Sequence, residues 1–410
     1  MVLGRVLLDV APLRVTAFRR LFVGRVFSGF GNQMTLVAVM FQVWSMTGST
    51  VWTGAVGLAM ALPIVVFGLF AGSLVDRVDR RRFYLVTVAG QAFFGVLLVV
   101  QGFVGGLPVG GVLAIVALQS CFVAGGGPAS RTFIPRLLPK EQVAAGLALN
   151  RIGFQGAVLL GPALGGVLIG WVGVGGCYLV DVVMFGVAFH GAFGLPAMVP
   201  EGEPSRAGVR GVVDGLVYLV REPVVRGALL TDLAAMVLSM PISLFPLVNA
   251  ERFGGDPRTF GLFLTAIAVG GVVGSVFSGT FTRLARPGVV MIFGALGWGV
   301  SLVLFGISTN PWVGLGFLVL AGVADTVSVV SRGALVQLHT PDSMMGRVAA
   351  AEQIVGQAGP DLGNMRGGLV AGATSGVFSL VSGGLMCVAA VALVGAATPG
   401  LRRATVQTPV

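Results

Sequence analysis

The stretch that decides the fold is "AGSLVDRVDRRR", residues 71–82. Six of its twelve positions are charged, although only 10% of the 410 residues are charged and 55% are hydrophobic. A soluble domain carries roughly 25% charged residues, so the rest of this chain has too little charge to cover a surface that faces water. Because long apolar runs lie on both sides, the stretch predicts a short polar turn between two segments buried in lipid.

The apolar runs are long and do not alternate with polar residues, which favours membrane-spanning helices over the strands of a β-barrel. The 65 glycines fit helices that pack closely in a membrane through small residues. The sequence therefore predicts an all-α membrane protein. Its twelve transmembrane spans are predicted at residues 18–44, 52–74, 83–104, 108–130, 145–171, 174–196, 226–249, 260–281, 289–307, 311–331, 348–371 and 376–397.

The distribution of Arg and Lys sets the predicted orientation. Loops on one side of the twelve spans contain only Arg252 and Arg258, whereas the termini and the other loops hold most of the basic residues. Cytoplasmic loops are enriched in Lys and Arg, so both termini are predicted to be cytoplasmic. The same rule accounts for the net charge of +10 without nucleic acid as a partner.

One long polar segment divides the spans into six and six. We therefore predict an N-terminal bundle at 1–196, a cytoplasmic linker at 197–225 and a C-terminal bundle at 226–410. The end of the linker, "GVVDGLVYLV", is typical of a short amphipathic helix at the membrane surface.

The two halves also resemble each other in sequence. "GPALGG" (161–166) has a counterpart in "GPDLGN" (359–364), and "SRTFIPRLLP" (130–139) has one in "SRGALVQLHTP" (331–341). Two parallel six-helix repeats are typical of transporters that work by alternating access.

Other classes of protein find little support. Two distant histidines and three separate cysteines form no catalytic or metal-binding cluster, so neither an enzyme nor a metal site is predicted. No phosphate-binding loop of the G-x-x-x-x-G-K-[ST] type is present, so the proton motive force rather than ATP or a cofactor is the expected energy source. A membrane sensor or scaffold usually carries a soluble domain, and the longest loop here has fewer than 30 residues.

The opening stretch resembles the loop motif between spans two and three of the major facilitator superfamily, although Asp79 stands where glycine is usual. "GPALGG" resembles the span-five motif of drug/proton antiporters, and pieces between residues 17 and about 355 are similar to the branch of siderophore exporters and macrolide-efflux proteins. The matching residues are Gly72, Leu74, Asp76, Arg77, Arg80 and Arg81 in the loop, and Gly161, Pro162, Gly165 and Gly166 in span five.

The resemblance implies that Asp76 docks against the cytoplasmic end of span eleven when the inner gate is closed. A helix N-terminus there favours negative charge, and Arg347 is placed to donate a charge-assisted hydrogen bond. We expect Asp76 and Arg347 to form an inner-gate latch. Arg81 and Arg82 also have a simpler interpretation as anchors of topology. Span four lacks the embedded arginine of many antiporters, since Gln119 is its most polar residue, so their proton relay cannot be transferred.

Ionisable residues within the predicted spans are functional candidates by default, because each costs roughly 2.5–3.5 kcal/mol to insert. Arg25 and Asp232 occupy equivalent positions in the two halves and are expected either to face a shared cavity, where they pair or bind a polar substrate, or to snorkel separately. Asp361, near the middle of span eleven, is the preferred proton carrier, with a structural carboxylate satisfied by Arg366 as the alternative. The other residues of this kind are Arg151, Asp181, Asp325 and Glu352.

The predicted function is export of a small or medium-sized organic molecule, a siderophore or a drug-like compound, by a monomeric proton antiporter. A proton-coupled importer, or a membrane sensor without transport, remains the alternative.

If the latch exists, the substitution Asp76→Asn should impair transport and leave expression intact, because it removes the charge but keeps the size of the side chain. Transport assays with parallel immunoblots of the membrane fraction measure both quantities. Normal transport by this variant would refute the latch.

Overall fold

The computed structural model describes residues 9–75, 78–131, 133–198 and 208–405. These residues are predominantly helical and contain no strand, which confirms the predicted all-α membrane protein. The α-helices, in chain order, are α1 (Thr16–Thr47), α2 (Thr50–Val75), α3 (Arg80–Val104), α4 (Val109–Arg131), α5 (Phe133–Leu137), α6 (Val143–Phe193), α7 (Gly208–Arg221), α8 (Pro223–Ser239), α9 (Phe245–Phe253), α10 (Pro257–Val276), α11 (Ser278–Phe281), α12 (Pro287–Ile307), α13 (Pro311–Leu338), α14 (Asp342–Ala373), α15 (Gly376–Ala397) and α16 (Pro399–Arg403).

Within the described residues, ten helical segments are long and apolar enough to cross a membrane. One of them contains two predicted spans, because α6 runs from span five into span six through a sharp bend at Gly173. The more polar α14 corresponds to predicted span eleven. With these two additions the helices agree with the twelve predicted spans.

Gly173 makes the bend in α6 possible. Its φ of 72° and ψ of −179° lie in a region of backbone conformation that is almost closed to residues with a side chain. The helical segments on either side are therefore joined by a single non-helical residue, at the boundary where the sequence predicts the turn between spans five and six.

Predicted span seven is broken in the structure. Helix α8 ends at Ser239, a short 3₁₀ turn follows at Ile242–Leu244, and α9 begins at Phe245. Pro241 explains the break, because proline lacks a backbone donor and pushes the preceding Met240 into an extended conformation with a ψ of 122°.

The helix ends follow ordinary capping rules. The side chains of Asp79, Asp256, Asn310 and Ser375 each accept a hydrogen bond from a backbone N–H in the first turn of the helix that follows. Five helices begin with proline, at positions where the missing donor has no cost. These prolines are Pro223, Pro257, Pro287, Pro311 and Pro399.

Contacts divide the chain into two compact units. The first unit comprises Met1–Val39 and Leu62–Gly208, and the second comprises Met40–Ala61 and Val209–Val410. The second unit therefore includes α7, the helix predicted in the linker. Leu219 of α7 is fully buried against Val336 and Val348, and the phenol of Tyr218 donates a hydrogen bond to the carbonyl of His339. The predicted boundaries of the two bundles remain predictions.

Close helix contacts rely on glycine, as expected when lipid supplies no hydrophobic drive between helices. In the second unit a Cβ atom at Gly270 or at Gly322 would collide with a backbone carbonyl of the other helix where α10 meets α13. In the first unit a Cβ atom at Gly165 would lie only 3.1 Å from the Cα of Met34, so α6 packs directly on α1.

Asp79 caps α3 and also binds Met198, in the segment that follows α6. Its carboxylate accepts hydrogen bonds from the backbone N–H groups of Arg81 at 2.9 Å and Met198 at 3.1 Å. Burial tends to raise the pKa of this carboxyl, but hydrogen bonds from the backbone of Met198, Arg81 and Arg82 outweigh it and lower the pKa below 3.8.

The substitution Asp79→Ala should destabilise the protein by about 1 kcal/mol at neutral pH, because it removes a helix cap. A lowered pKa stabilises the folded state above the unfolded value of 3.8, and this contribution disappears as the pH falls through the folded-state pKa. Thermal unfolding in detergent should show a wild-type advantage that is constant near pH 7 and shrinks below about pH 3.8. Asp79→Asn, which keeps an acceptor oxygen, is the matched control. An advantage that grows on acidification would contradict this account.

Candidate functional site

A partly buried ionic cluster in the second unit centres on Arg332 of α13. Its Nη1 atom lies 3.4 Å from Oδ2 of Asp232, on α8, and 3.1 Å from Oε1 of Glu352, on α14. The contact with Glu352 is a hydrogen bond, whereas the buried Oδ2 of Asp232 has no hydrogen-bond partner among the described residues. A single guanidinium therefore joins three helices and is shared unequally between two carboxylates.

A third carboxylate belongs to the same cluster. Asp325 precedes Arg332 by seven residues on α13, which is about 20° short of two full turns and places both on one face of the helix. Asp325 is exposed and interacts electrostatically with Asp232 and Arg332. One fixed positive charge thus faces three groups that can each gain or lose a proton.

Asp361 lies at a tight crossing of α2 and α14 in the second unit. Its carboxylate forms a hydrogen bond with Asn364, and a Cβ atom at Gly57 would lie 2.8 Å from its Oδ1. Asn364 in turn accepts a hydrogen bond from the backbone N–H of Ser243 at 3.1 Å. The hydroxyl of Thr53 donates to the carbonyl of Ser243 at 2.8 Å. Asp361 is therefore part of a polar network beside the break in span seven.

Arg366 contacts the broken helix. Its Nη1 donates a hydrogen bond to the carbonyl of Leu238, in the last turn of α8. A cation at a helix C-terminus is favourable because the last carbonyls lack partners and carry partial negative charge. The partner that the structure gives Asp361 is Asn364, so the predicted alternative of an Asp361–Arg366 pair is not the arrangement observed.

A polar cavity of about 340 Å³ lies inside the first unit, between α1, α3, α4 and α6. Aromatic rings of Tyr84, Phe154 and Phe185 form part of its wall. No carboxylate lines it in the part of the chain that the structure describes. The polar side chains in its lining are Arg25, Ser28, Asn32, Gln33, Tyr84 and Gln91.

The glycines of the span-five motif pack against α1 in the first unit. A Cβ atom at Gly161 would lie 2.6 Å from the Cβ of Gln33, one of the residues that line the cavity. Pro162, Gly165 and Gly166 are buried in the same helix, α6. The motif therefore sets how closely α6 approaches the wall of the cavity.

The loop motif is only partly described. Gly72 lies in α2, whereas Asp76 and Arg77 fall outside the described residues, so the latch proposed for Asp76 remains a prediction. Arg81 donates a hydrogen bond to the carbonyl of Phe193, at the end of α6, and its guanidinium lies 5.5 Å from the centre of the Phe193 ring. The backbone N–H of Arg80 donates to the carbonyl of Met198 at 3.1 Å.

Arg347 has a carboxylate neighbour on the linker helix. Its Nη1 atom lies 3.4 Å from Oδ2 of Asp214, and both side chains are about half exposed. Helix α7 also packs tightly against α14 at this point, because a Cβ atom at Gly215 would collide with the carbonyl of Arg347. Arg347 therefore already contributes to holding α7 on α14 in the second unit.

Sequence reasoning missed the central role of Arg332, which is not among the candidate residues inside the predicted spans. The predicted span ten ends at residue 331, but α13 continues to Leu338 and keeps Arg332 within the helix. Asn364 was missed as well, since an uncharged amide attracts no attention in a search for charges. The repeat "GPDLGN" contains both Asp361 and Asn364 and was the available signal.

A model of the family described as transmembrane secretion effector matches residues 8–405 of the chain. Curated relatives include the enterobactin exporter EntS of Shigella boydii serotype 18 and that of Escherichia coli O139:H28. Each is 28% identical over 363 residues, which cover 86% of this chain and 85% of the relative.

Solved structures with a similar fold include a POT family transporter in complex with 5-aminolevulinic acid. Its TM-score is 0.75 at 12% identity, over 94% of this chain and 96% of that chain. A bacterial homologue of the iron transporter ferroportin has a TM-score of 0.68 at 19% identity, over 96% and 99% of the two chains. At these identities the similarity shows a common fold.

The substitution Arg332→Gln should destabilise the protein by about 3 kcal/mol, because it leaves buried carboxylates without their cation. Adding Asp232→Asn and Glu352→Gln should recover most of this loss, since the exposed Asp325 is then the only ionisable member of the cluster. Thermal unfolding in detergent compares the stability of the wild type, the single variant and the triple variant. Arg283→Gln, at an exposed position, is the control. Wild-type stability of the single variant would show that Arg332 does not hold the cluster together.

Proposed function

Because the chain belongs to the transmembrane secretion effector family of the major facilitator superfamily, we propose that it exports an organic molecule in exchange for protons. The substrate is a siderophore or a drug-like compound of small or medium size. A single chain moves it across the bacterial inner membrane by alternating access, driven by the proton motive force without a cofactor. The enterobactin exporters among its relatives support export and a siderophore as substrate.

The observation that carries the proton coupling is the cluster around Arg332. With all three carboxylates ionised the cluster has a charge of −2, and with all three protonated it has a charge of +1. In a medium of low dielectric constant such a group favours a state with little net charge, so it binds protons and holds them. Exposed Asp325 is the carboxylate that exchanges protons with water, and Arg332 transmits the change to α8 and α14.

Asp361 is the second candidate carrier. Its hydrogen bond to Asn364 ties its state to Ser243, in the 3₁₀ turn that follows the break in span seven. Protonation of Asp361 would alter this hydrogen bond, and so the packing of α14 on α2. Because the Arg332 cluster offers more exchangeable sites and an exposed member, we assign the principal role to the cluster.

The cavity of the first unit supports an amphiphilic organic substrate. Donors from Arg25 and three amides suit oxygen-rich groups, and the aromatic wall suits an apolar body. A substrate larger than about 340 Å³ would place only part of itself in this cavity. Pairing of Arg25 with Asp232, expected from the repeat, remains a prediction, and within the second unit Asp232 interacts with Arg332.

Export is tested in a bacterial strain deleted for its own enterobactin exporter. Expression of the wild-type chain should increase enterobactin in the medium, and a protonophore that collapses the proton gradient should remove the increase. Asp325→Asn should lower secretion to the level of protonophore-treated cells, because the cluster then lacks its exchanging carboxylate. Asp361→Asn, assayed in parallel, measures the contribution of the second candidate.

The control for these variants is Glu251→Gln, an exposed carboxylate on α9 outside the cluster, which should secrete at the wild-type rate. Accumulation inside the cells would indicate import. No effect of expression on the distribution of enterobactin, or of a panel of drugs tested in the same way, would favour a sensor without transport. Secretion that resists the protonophore would rule out proton antiport.

A further inference from the structure

A second buried carboxylate site lies in the first unit and takes no part in the Arg332 cluster. Asp181 of α6 is 1% exposed. Its Oδ2 accepts a hydrogen bond from the hydroxyl of Thr35, on α1, at 2.6 Å. Its Oδ1 is buried and has no hydrogen-bond partner among the described residues. One hydroxyl is thus the only donor that the described structure offers to this side chain.

Close packing keeps the carboxyl group in this position. Gly31 of α1 lies directly against it, and a Cβ atom there would collide with Oδ1. Met34 lies about one turn after Gly31 on α1. Its carbonyl accepts a hydrogen bond, at 3.7 Å, from the thiol of Cys177 on α6. The packing of α1 on α6 therefore encloses Asp181. Position 31 has no room for a residue with a side chain.

The surroundings of Asp181 supply no positive charge in the described part of the chain. The titratable groups that interact with it electrostatically are Cys177 and Tyr178, both on its own helix and both buried. Helix α1 contributes Gly31 and the hydroxyl of Thr35, neither of which titrates. On α3, Gly95 lies against Val182, the neighbour of Asp181, so that contact is apolar.

An ionised carboxylate without a cation is among the most costly groups to bury, whereas a neutral acid costs only what an imperfectly bonded polar group costs. Proteins resolve this situation by neutralising the group. We propose that Asp181 is a proton-binding site of the first unit: it holds a proton while α1 packs on α6, and releases it when Thr35 and Gly31 move away and water reaches the carboxyl.

The position of the site on α1 gives the proton a role in transport, and this role rests on the proposed proton exchange. Thr35 lies four residues before Val39, the last residue of α1 in the first unit, and the rest of α1 falls in the segment Met40–Ala61 of the second unit. A displacement of α1 therefore changes the contact that holds the proton. Proton binding and the position of α1 are then linked: a bound proton favours α1 packed on α6, and α1 packed on α6 favours the protonated carboxyl.

Infrared spectroscopy of the full chain in lipid nanodiscs tests the site with the proton itself as the ligand. The wild-type protein should show a protonated-carboxyl C=O band near neutral pH that Asp181→Asn lacks. Asparagine keeps the shape and an acceptor oxygen for Thr35 but binds no proton. Asp256→Asn, at an exposed helix cap, is the control and should leave the band unchanged. Identical bands in wild type and Asp181→Asn would overturn the proposal.

Thr35→Val provides a second readout that does not depend on the folding of Asp181→Asn. Valine removes the donor that stabilises the ionised form, so the band should persist to higher pH than in the wild type. A band that disappears at the same pH in both proteins would also overturn the site. Neither spectrum needs a substrate, so a failure of the export assay refutes the proposed function and leaves this test valid. Repeating that assay with Asp181→Asn should show weaker protonophore-sensitive secretion, and unaltered secretion would refute the role in transport.

Discussion

Hydrocarbon offers no partner for a backbone N–H or C=O group, and this constraint governs the whole structure. Uninterrupted helices satisfy it without help from side chains, which is why nearly every apolar run in the sequence becomes one helix. Span seven, however, is broken at Pro241. There Arg366 bonds the carbonyl of Leu238, and Ser243 is bonded by Asn364 and Thr53. The polar network around the break supplies the partners that the helix has lost.

The same constraint applies to charge. The second unit places a partly buried arginine among carboxylates, so that each compensates the others, whereas in the described part of the first unit Asp181 is buried beside a hydroxyl and no cation. These are two different solutions to one problem of solvation. The ionic cluster responds to protons by redistributing its charge around Arg332. The site at Asp181 responds by being neutral or, once water reaches it, charged. A transporter that exchanges protons can use both, because each ties the protonation state to the packing of particular helices.

Much of the fold could be predicted from the sequence, because the length of an apolar run and the positions of Gly and Pro act locally. The twelve spans, the turn at Gly173 and the helix in the linker are of this kind. The partners of individual charges could not be predicted, because they depend on how helices distant in sequence rotate against each other. Arg332 is the clearest case: it was placed just beyond span ten, and only the observed length of α13 brings it to Asp232 and Glu352. Asp79 illustrates a further gap, since its departure from the usual glycine of the motif concealed a helix cap.

The bend at Gly173 has a consequence for motion. One residue spans at most about 3.6 Å, whereas sliding one helix past another by a full turn requires about 5.4 Å. The two arms of α6 therefore cannot change register by a turn without unravelling part of a helix. They act as a stiff hairpin that tilts as a whole. Any rearrangement of the first unit must therefore occur at longer loops between its helices.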